Sequence, residues 1–153
     1  MGIGPSTKET TLHHFRDPLV EELCDDSDLD FVGIIIAGIP QDNVNKLFTG
    51  SRVGAWAEAL RVKGAIVSWG NSNVDFAQAI EEIGKRDIAV VGVSFVGTQG
   101  AFVVTNQYMN TIVDFNKSEE GIETNVVGEN NIVAQDAKKA KALLKLKMRT
   151  VKR

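Results

Sequence analysis

The sequence predicts an α/β fold of three layers, with a mainly parallel sheet of four or five strands between flanking helices. Three observations carry this. Short, continuously apolar runs rich in β-branched residues recur at 31–37, 65–68 and 88–95, and runs without polar alternation belong to strands covered on both faces. Between them lie segments whose apolar residues repeat at helical spacing. Strand, helix, strand, helix, strand is the βαβ rhythm, whose crossovers are right-handed and whose strands are parallel.

Residues 1–30 have little periodicity and are expected to be an N-terminal extension. They hold Pro5, His13-His14 and the acidic run Asp25-Asp26-Ser27-Asp28, with a short helix near 18–24 in which Leu19, Val20 and Leu23 can face the core. The α/β domain is expected over 31–149, with 150–153 as a basic tail. Its first strand, 31–37, is ended by Gly38 and Pro40, since proline has no N–H to continue a ladder. A polar loop over 41–49 leads to a helix near 51–62, where Val53, Trp56, Ala57 and Leu60 are placed to pack on the sheet.

The second strand, 65–68, meets the loop Trp69-Gly70-Asn71-Ser72 and then a helix starting near Asn73. Ser72 or Asn73 can cap it, and Asp75 lies in the first turn, where a carboxylate suits the helix dipole. Val74, Ala77, Ile80 and Ile83 form the buried stripe. Gly84 ends the helix, with Lys85 and Arg86 at its negative end. The third strand, 88–95, terminates at Gly97-Thr98-Gln99-Gly100. Residues 101–104 are expected to add a fourth strand, 123–127 an edge strand, and 107–115 either a short strand or a helix. A final helix covers 135–149.

With 153 residues, 43% hydrophobic and 24% charged, the chain is long enough for one ordinary globular core and is not disordered. A single cysteine, Cys24, makes no internal disulfide and fits a reducing compartment. No apolar stretch approaches the ~20 residues of a membrane-spanning helix, and the N-terminus lacks an apolar signal core; a cytoplasmic protein with no membrane partner is expected. The net charge of −3 hides an asymmetry: every acidic residue lies at or before Asp136, while residues 138–153 hold eight of the 17 cations. Ala137, Ala140, Leu144 and Met148 give that segment an apolar helical face. The lysines then read as its solvated side rather than as a nucleic-acid surface.

In a parallel sheet the loops after the strands share one edge, where ligands of open α/β sheets bind. Gly70, Asn71, Ser72, Asp75, Gln99 and Gly100 therefore form the candidate binding crevice, with glycines for close approach and neutral hydrogen-bonding groups. The same residues also suit ordinary tight βα turns. No phosphate-loop pattern and no Gly-x-Gly-x-x-Gly follows the first strand, so a nucleotide site has little support. His13-His14 has no partner at ligand spacing and suggests no metal. Glu81 and Glu82, adjacent on a helix, do not face each other and read as solvated. Cys24 follows Leu23 among four carboxylates, which disfavour a reactive thiolate. The residues supply no catalytic group and no cofactor.

The segments Gly70-Asn71-x-x-x-Asp75-Phe76-x-x-x-Ile80-Glu81-x-Ile83-Gly84-Lys85-Arg86, Val90-Val91-Gly92-Val93, Gln99-Gly100, Asn106-x-Tyr108-Met109, Asn116-Lys117 and Gly121-Ile122-Glu123 give the chain its resemblance to a known family. It resembles the D-proline reductase family, within the glycine, sarcosine and betaine reductase group, over about 30–149. The match is to proteins related to the C-terminal part of the pyruvoyl-bearing subunit. The opening Met1-Gly2-Ile3-Gly4-Pro5-Ser6-Thr7 is similar to that of short accessory proteins of this system. The resemblance implies reductive ring cleavage of D-proline to 5-aminovalerate in amino-acid-fermenting anaerobes, the Stickland type of metabolism. There a pyruvoyl group, made by cleavage at an internal cysteine, captures the substrate amine, and a selenocysteine of another subunit attacks the activated carbon. This chain has no Thr-Cys or Ser-Cys pair and no selenocysteine. The expectation is an accessory or structural subunit without its own pyruvoyl group, meeting reductase subunits or a second copy of itself; an independent small-molecule-binding module is the alternative.

Overall fold

The structure is a computed structural model that describes residues 17–68, 73–124 and 126–151. In chain order its helices are α1 (Pro18–Cys24), α2 (Asn43–Ala59), α3 (Asn73–Gly84) and α4 (Ala134–Thr150), and its strands β1 (Gly64–Ser68), β2 (Ala89–Ser94) and β3 (Ile112–Asp114), with a 3-10 turn at Val127–Asn130. The strands form one parallel sheet in the order β1-β2-β3. Val67 lies opposite Gly92, and Gly92 opposite Ile112.

Two glycines fix the layers. A Cβ on Gly92 would meet Phe76 Cζ at 2.9 Å and Ile80 Cδ1 at 3.2 Å, so that side of the sheet faces α3; one on Gly64 would meet Met148 Sδ at 2.8 Å, so the opposite side faces α4. Central β2 is buried along its whole length, which explains why it reads as continuously apolar. Phe76, Ile80 and Ile83 cover one face, and Ala137, Ala140 and Leu144 the other. The expected stripes of α3 and α4 are thus on the core, with Phe76 and Ala79 added and Val74 only half-buried.

The described residues build three strands rather than four or five. Residues 31–39 have no regular structure, and the expected first strand lies open to solvent: Val32 is 51% exposed and Ile36 73%. An apolar run forms a strand only when it pairs with a neighbouring edge, and among the described residues this run pairs with none. Residues 101–104 also lack a strand, because Val104 bonds through both backbone groups to the Asn73 side chain instead. In place of an edge strand at 123–127, residues 123, 124 and 126 have no regular structure and residue 127 opens the 3-10 helix, while residue 125 lies outside the described residues. The undecided segment 107–115 supplies β3.

Helix α2 starts eight residues earlier than expected. Asp42 caps it, accepting from Asn45 N at 2.9 Å and from Asn45 Nδ2 at 2.6 Å, which makes the polar stretch a helix start rather than a loop. Its packing face is only partly the expected one: Ala57 is in the core and Val53 packs against it. Gly50, Gly54 and Ala57 are buried against α3, where a Cβ on Gly50 or Gly54 would lie 2.6 Å from the Cβ of Gln78 or Glu82. Trp56 and Leu60, expected on the sheet, are exposed instead. The small residues let the two backbones approach, and that close contact selected the face over bulk hydrophobicity.

The short helix α1 forms at the expected place, with buried Asp17 accepting from Leu19 N at 2.6 Å and Pro18 at its first position. It packs on α4. Lys141 bonds Glu22 at 2.9 Å, and Lys145 bonds Asp26 and Asp28, each at 2.9 Å. The lysines read as α4's solvated side therefore clasp the chain's own acidic run.

Candidate functional site

The strands end toward the expected crevice, but Gly70, Asn71 and Ser72 lie outside the described residues. Asp75 sits in the first turn of α3, half-buried, and accepts from Phe76 N at 3.0 Å. Gln99 and Gly100 lie beyond β2. There Gln99 N donates to Gly121 O at 2.8 Å and Gly100 N to Gly97 O at 3.2 Å. Gly97 and Gly121 have φ of 87° and 72°, a left-handed backbone that glycine adopts without strain. A Cβ on Gly97 would collide with the Gly121 carbonyl. The structure thus joins Gln99 and Gly100 to the loop after β3, and among the described residues no hydrogen bond links them to Asp75.

Sequence reasoning missed the residue that holds this edge together. The Asn116 side-chain amide donates to Phe95 O, Ile122 O and Asn130 Oδ1, each at 3.0 Å, while Asn130, fully buried, donates to Thr124 O at 2.7 Å. Beneath them Phe95 and Phe115 meet with ring centroids 5.5 Å apart. Asn116 follows a strand, a common place for turn asparagines, and only its partners reveal the role. Over the start of α3, Asn106 Nδ2 donates to Ala77 O at 2.8 Å, and Phe102 stacks on Phe76 with centroids 6.1 Å apart. Val103, between them and the Asn73–Val104 pairing, is 91% exposed.

The described cavity lies elsewhere. About 470 Å³ opens at the N-terminal edge of the sheet, lined by residues that include Gly84, Asp87, Val90, Tyr108, Asn110 and Lys147. Lys147 Nζ donates to Val90 O and Asn110 Oδ1, each at 2.8 Å. Burial pulls its ammonium below the usual lysine range, because desolvation disfavours the charged form. Spacing held the signal: Lys147 lies seven residues after Ala140 and three after Leu144, on the flank of the apolar stripe.

Glu82, read as solvated, is mostly covered. It bonds Arg86 Nη1 at 2.8 Å, and that guanidinium holds its carboxyl below the ordinary range; Arg86 Nε also reaches Glu58 at 3.1 Å and so ties α3 to α2. Glu81 pairs with Lys85 at 2.9 Å. Cys24 is an exposed free thiol at the end of α1. Among the described residues no three His, Cys, Asp or Glu side chains gather to hold a metal, and no helix is long and apolar enough to cross a membrane. What the described part of the C-terminal edge offers is neutral hydrogen-bonding groups together with the carboxylates of Asp75 and of Asp114 at the end of β3.

Residues 2–145 match the family of glycine/sarcosine/betaine reductase component B subunits. The chain is also 43% identical over 146 residues to the D-proline reductase proprotein PrdA of Acetoanaerobium sticklandii, which covers 94% of this chain. It spans 23% of that relative's length, in the relative's C-terminal part. No solved structure matches the chain.

Proposed function

The chain belongs to the glycine/sarcosine/betaine reductase component B subunit family, and on that premise we propose that it is an accessory or structural subunit associated with D-proline reductase. The observation that carries this reading is the 43% identity to a D-proline reductase proprotein across nearly the whole chain. The reaction served would be the reductive ring cleavage of D-proline to 5-aminovalerate, in the cytoplasm of a fermenting anaerobe. The chain would contribute no pyruvoyl group of its own, because its single cysteine follows Leu23 in an acidic helix end rather than a serine or threonine. Copurification from proline-grown cells under anaerobic conditions tests the reading: D-proline reductase subunits should be recovered with the tagged chain. Recovery of unrelated proteins alone would reject it.

A second reading, an independent small-molecule-binding module, is favoured by one observation: Asp75 accepts only from a backbone N–H and forms no ion pair among the described residues. Its carboxylate, with Gln99, Gly100 and the Gly70-Asn71-Ser72 loop, would select an amine-bearing molecule such as proline. Calorimetric titration of the isolated chain with D-proline separates the two readings, since only the module binds it alone.

A further inference from the structure

The chain carries an unused strand and an unused sheet edge. Residues 31–40 contain no charged side chain, and Val32, Ile34, Ile35, Ile36 and Ile39 all stand exposed. Among the described residues β1 is the outermost strand, hydrogen-bonded on one side only, to β2. Helix α2 lies in the same layer as α3, and its four-residue link to β1 keeps it on the β1 side. Yet α2 packs on α3 and, on the flank it shares with core-packed Val53, leaves Trp56 and Leu60 open at 53% and 42%. A further strand laid beside β1 would occupy the space under α2 and cover these residues. Apolar area of this extent on one side of a small domain marks a contact surface, and an open edge is a template for another strand.

Charge gives the direction of pairing. Asp30 precedes the apolar run and Lys63 precedes β1, and both are exposed. A parallel alignment that starts the two strands together sets the carboxylate beside the ammonium. Pairing two copies of the run in parallel with each other would instead set Asp30 against Asp30.

We infer that two copies of this chain exchange residues 31–37, each strand adding in parallel to β1 of the other copy. One chain holds both the strand and the edge, so reciprocal exchange satisfies both in each copy and closes about a two-fold axis. A foreign partner supplying one strand would leave the chain's own run uncovered. In the single chain the run is tethered near both faces, by Asp28 on Lys145 and by Asp42 capping α2, and still does not pair with β1. The inference does not rest on the reductase reading, because it concerns the purified chain alone.

The test is the mass and association constant of the recombinant chain by light scattering and sedimentation, with hydrogen exchange on 31–37. A dimer at micromolar concentration, with 31–37 protected only in the dimer, is expected. Ile34→Asp should weaken association by at least about tenfold, since it buries a carboxylate. It should leave the monomer's circular dichroism unchanged, because Ile34 is exposed there. Asp30→Lys and Lys63→Asp should each weaken the dimer, and the double exchange should restore it. A chain that stays monomeric, whether 31–37 is protected or open, overturns the proposal. So does a dimer indifferent to Ile34→Asp or to the charge exchange.

Discussion

At the scale of single residues the site edge is held by amides more than by charges. Asn130 is fully buried and joined to Asn116 and to Thr124 O. Asn130→Ala leaves buried partners unpaired, and the urea midpoint should fall by an amount equivalent to about 1–3 kcal/mol. Asp75 gives a contrasting expectation. Placed in the first turn of α3 and bonded to Phe76 N, it serves the helix end, so Asp75→Ala should cost about 0.3–1 kcal/mol in the same assay and leave D-proline titration unchanged. An unaltered midpoint with lost binding would reassign the carboxylate to a ligand. Asp75 could be placed from sequence because capping and dipole effects act within one turn. Asn116 and Asn130 could not, because their partners lie in loops that only the folded chain brings together.

Among the elements, helix faces decide the packing. Gly54 lies against Glu82 with no room for a side chain, so Gly54→Val should destabilise the domain by about 1–3 kcal/mol through overpacking, readable as a lower thermal midpoint. The α1–α4 clasp should respond to pH. Hydrogen bonding to Lys145 holds the Asp26 carboxyl below its ordinary range. A depressed carboxylate stabilises in full above the ordinary value of about 3.9 and loses that contribution as pH falls through its lowered value. The Lys141 and Lys145 ammonium groups are shifted upward by Glu22, Asp28 and Asp26, so their contribution is lost only as pH rises through those raised values. Docking of α1 should therefore persist from neutral pH into mild alkali and loosen in acid, seen as rising hydrogen exchange in 18–24, with added salt weakening it further. The positions of α3, α4 and β2 were legible because each buries a periodic or continuous apolar set. The face of α2 was legible only in part, since a small-residue contact carries almost no hydrophobic signal, and the clasp escaped notice because its partners are more than a hundred residues apart.

For the whole molecule, family membership was legible from dispersed segments such as Asn106-x-Tyr108-Met109 and Gly121-Ile122-Glu123, while the strand count was not. The run at 31–37 has the composition of a central strand, but composition states what a segment could pair with and not whether a neighbour is present. Intact mass spectrometry of the purified chain should give the uncleaved polypeptide; two fragments split at Cys24, the second with a carbonyl reactive toward borohydride, would reveal a prosthetic group after all. The open side of α2 has a practical corollary. Trp56 stands there 53% exposed, so its indole emission should be red-shifted and readily quenched by acrylamide in a Trp69→Phe background. Whatever comes to lie under α2 must shift that emission to the blue and shield it from the quencher. The molecule thus carries its own optical gauge of whether that side is covered, readable in dilute solution without a label.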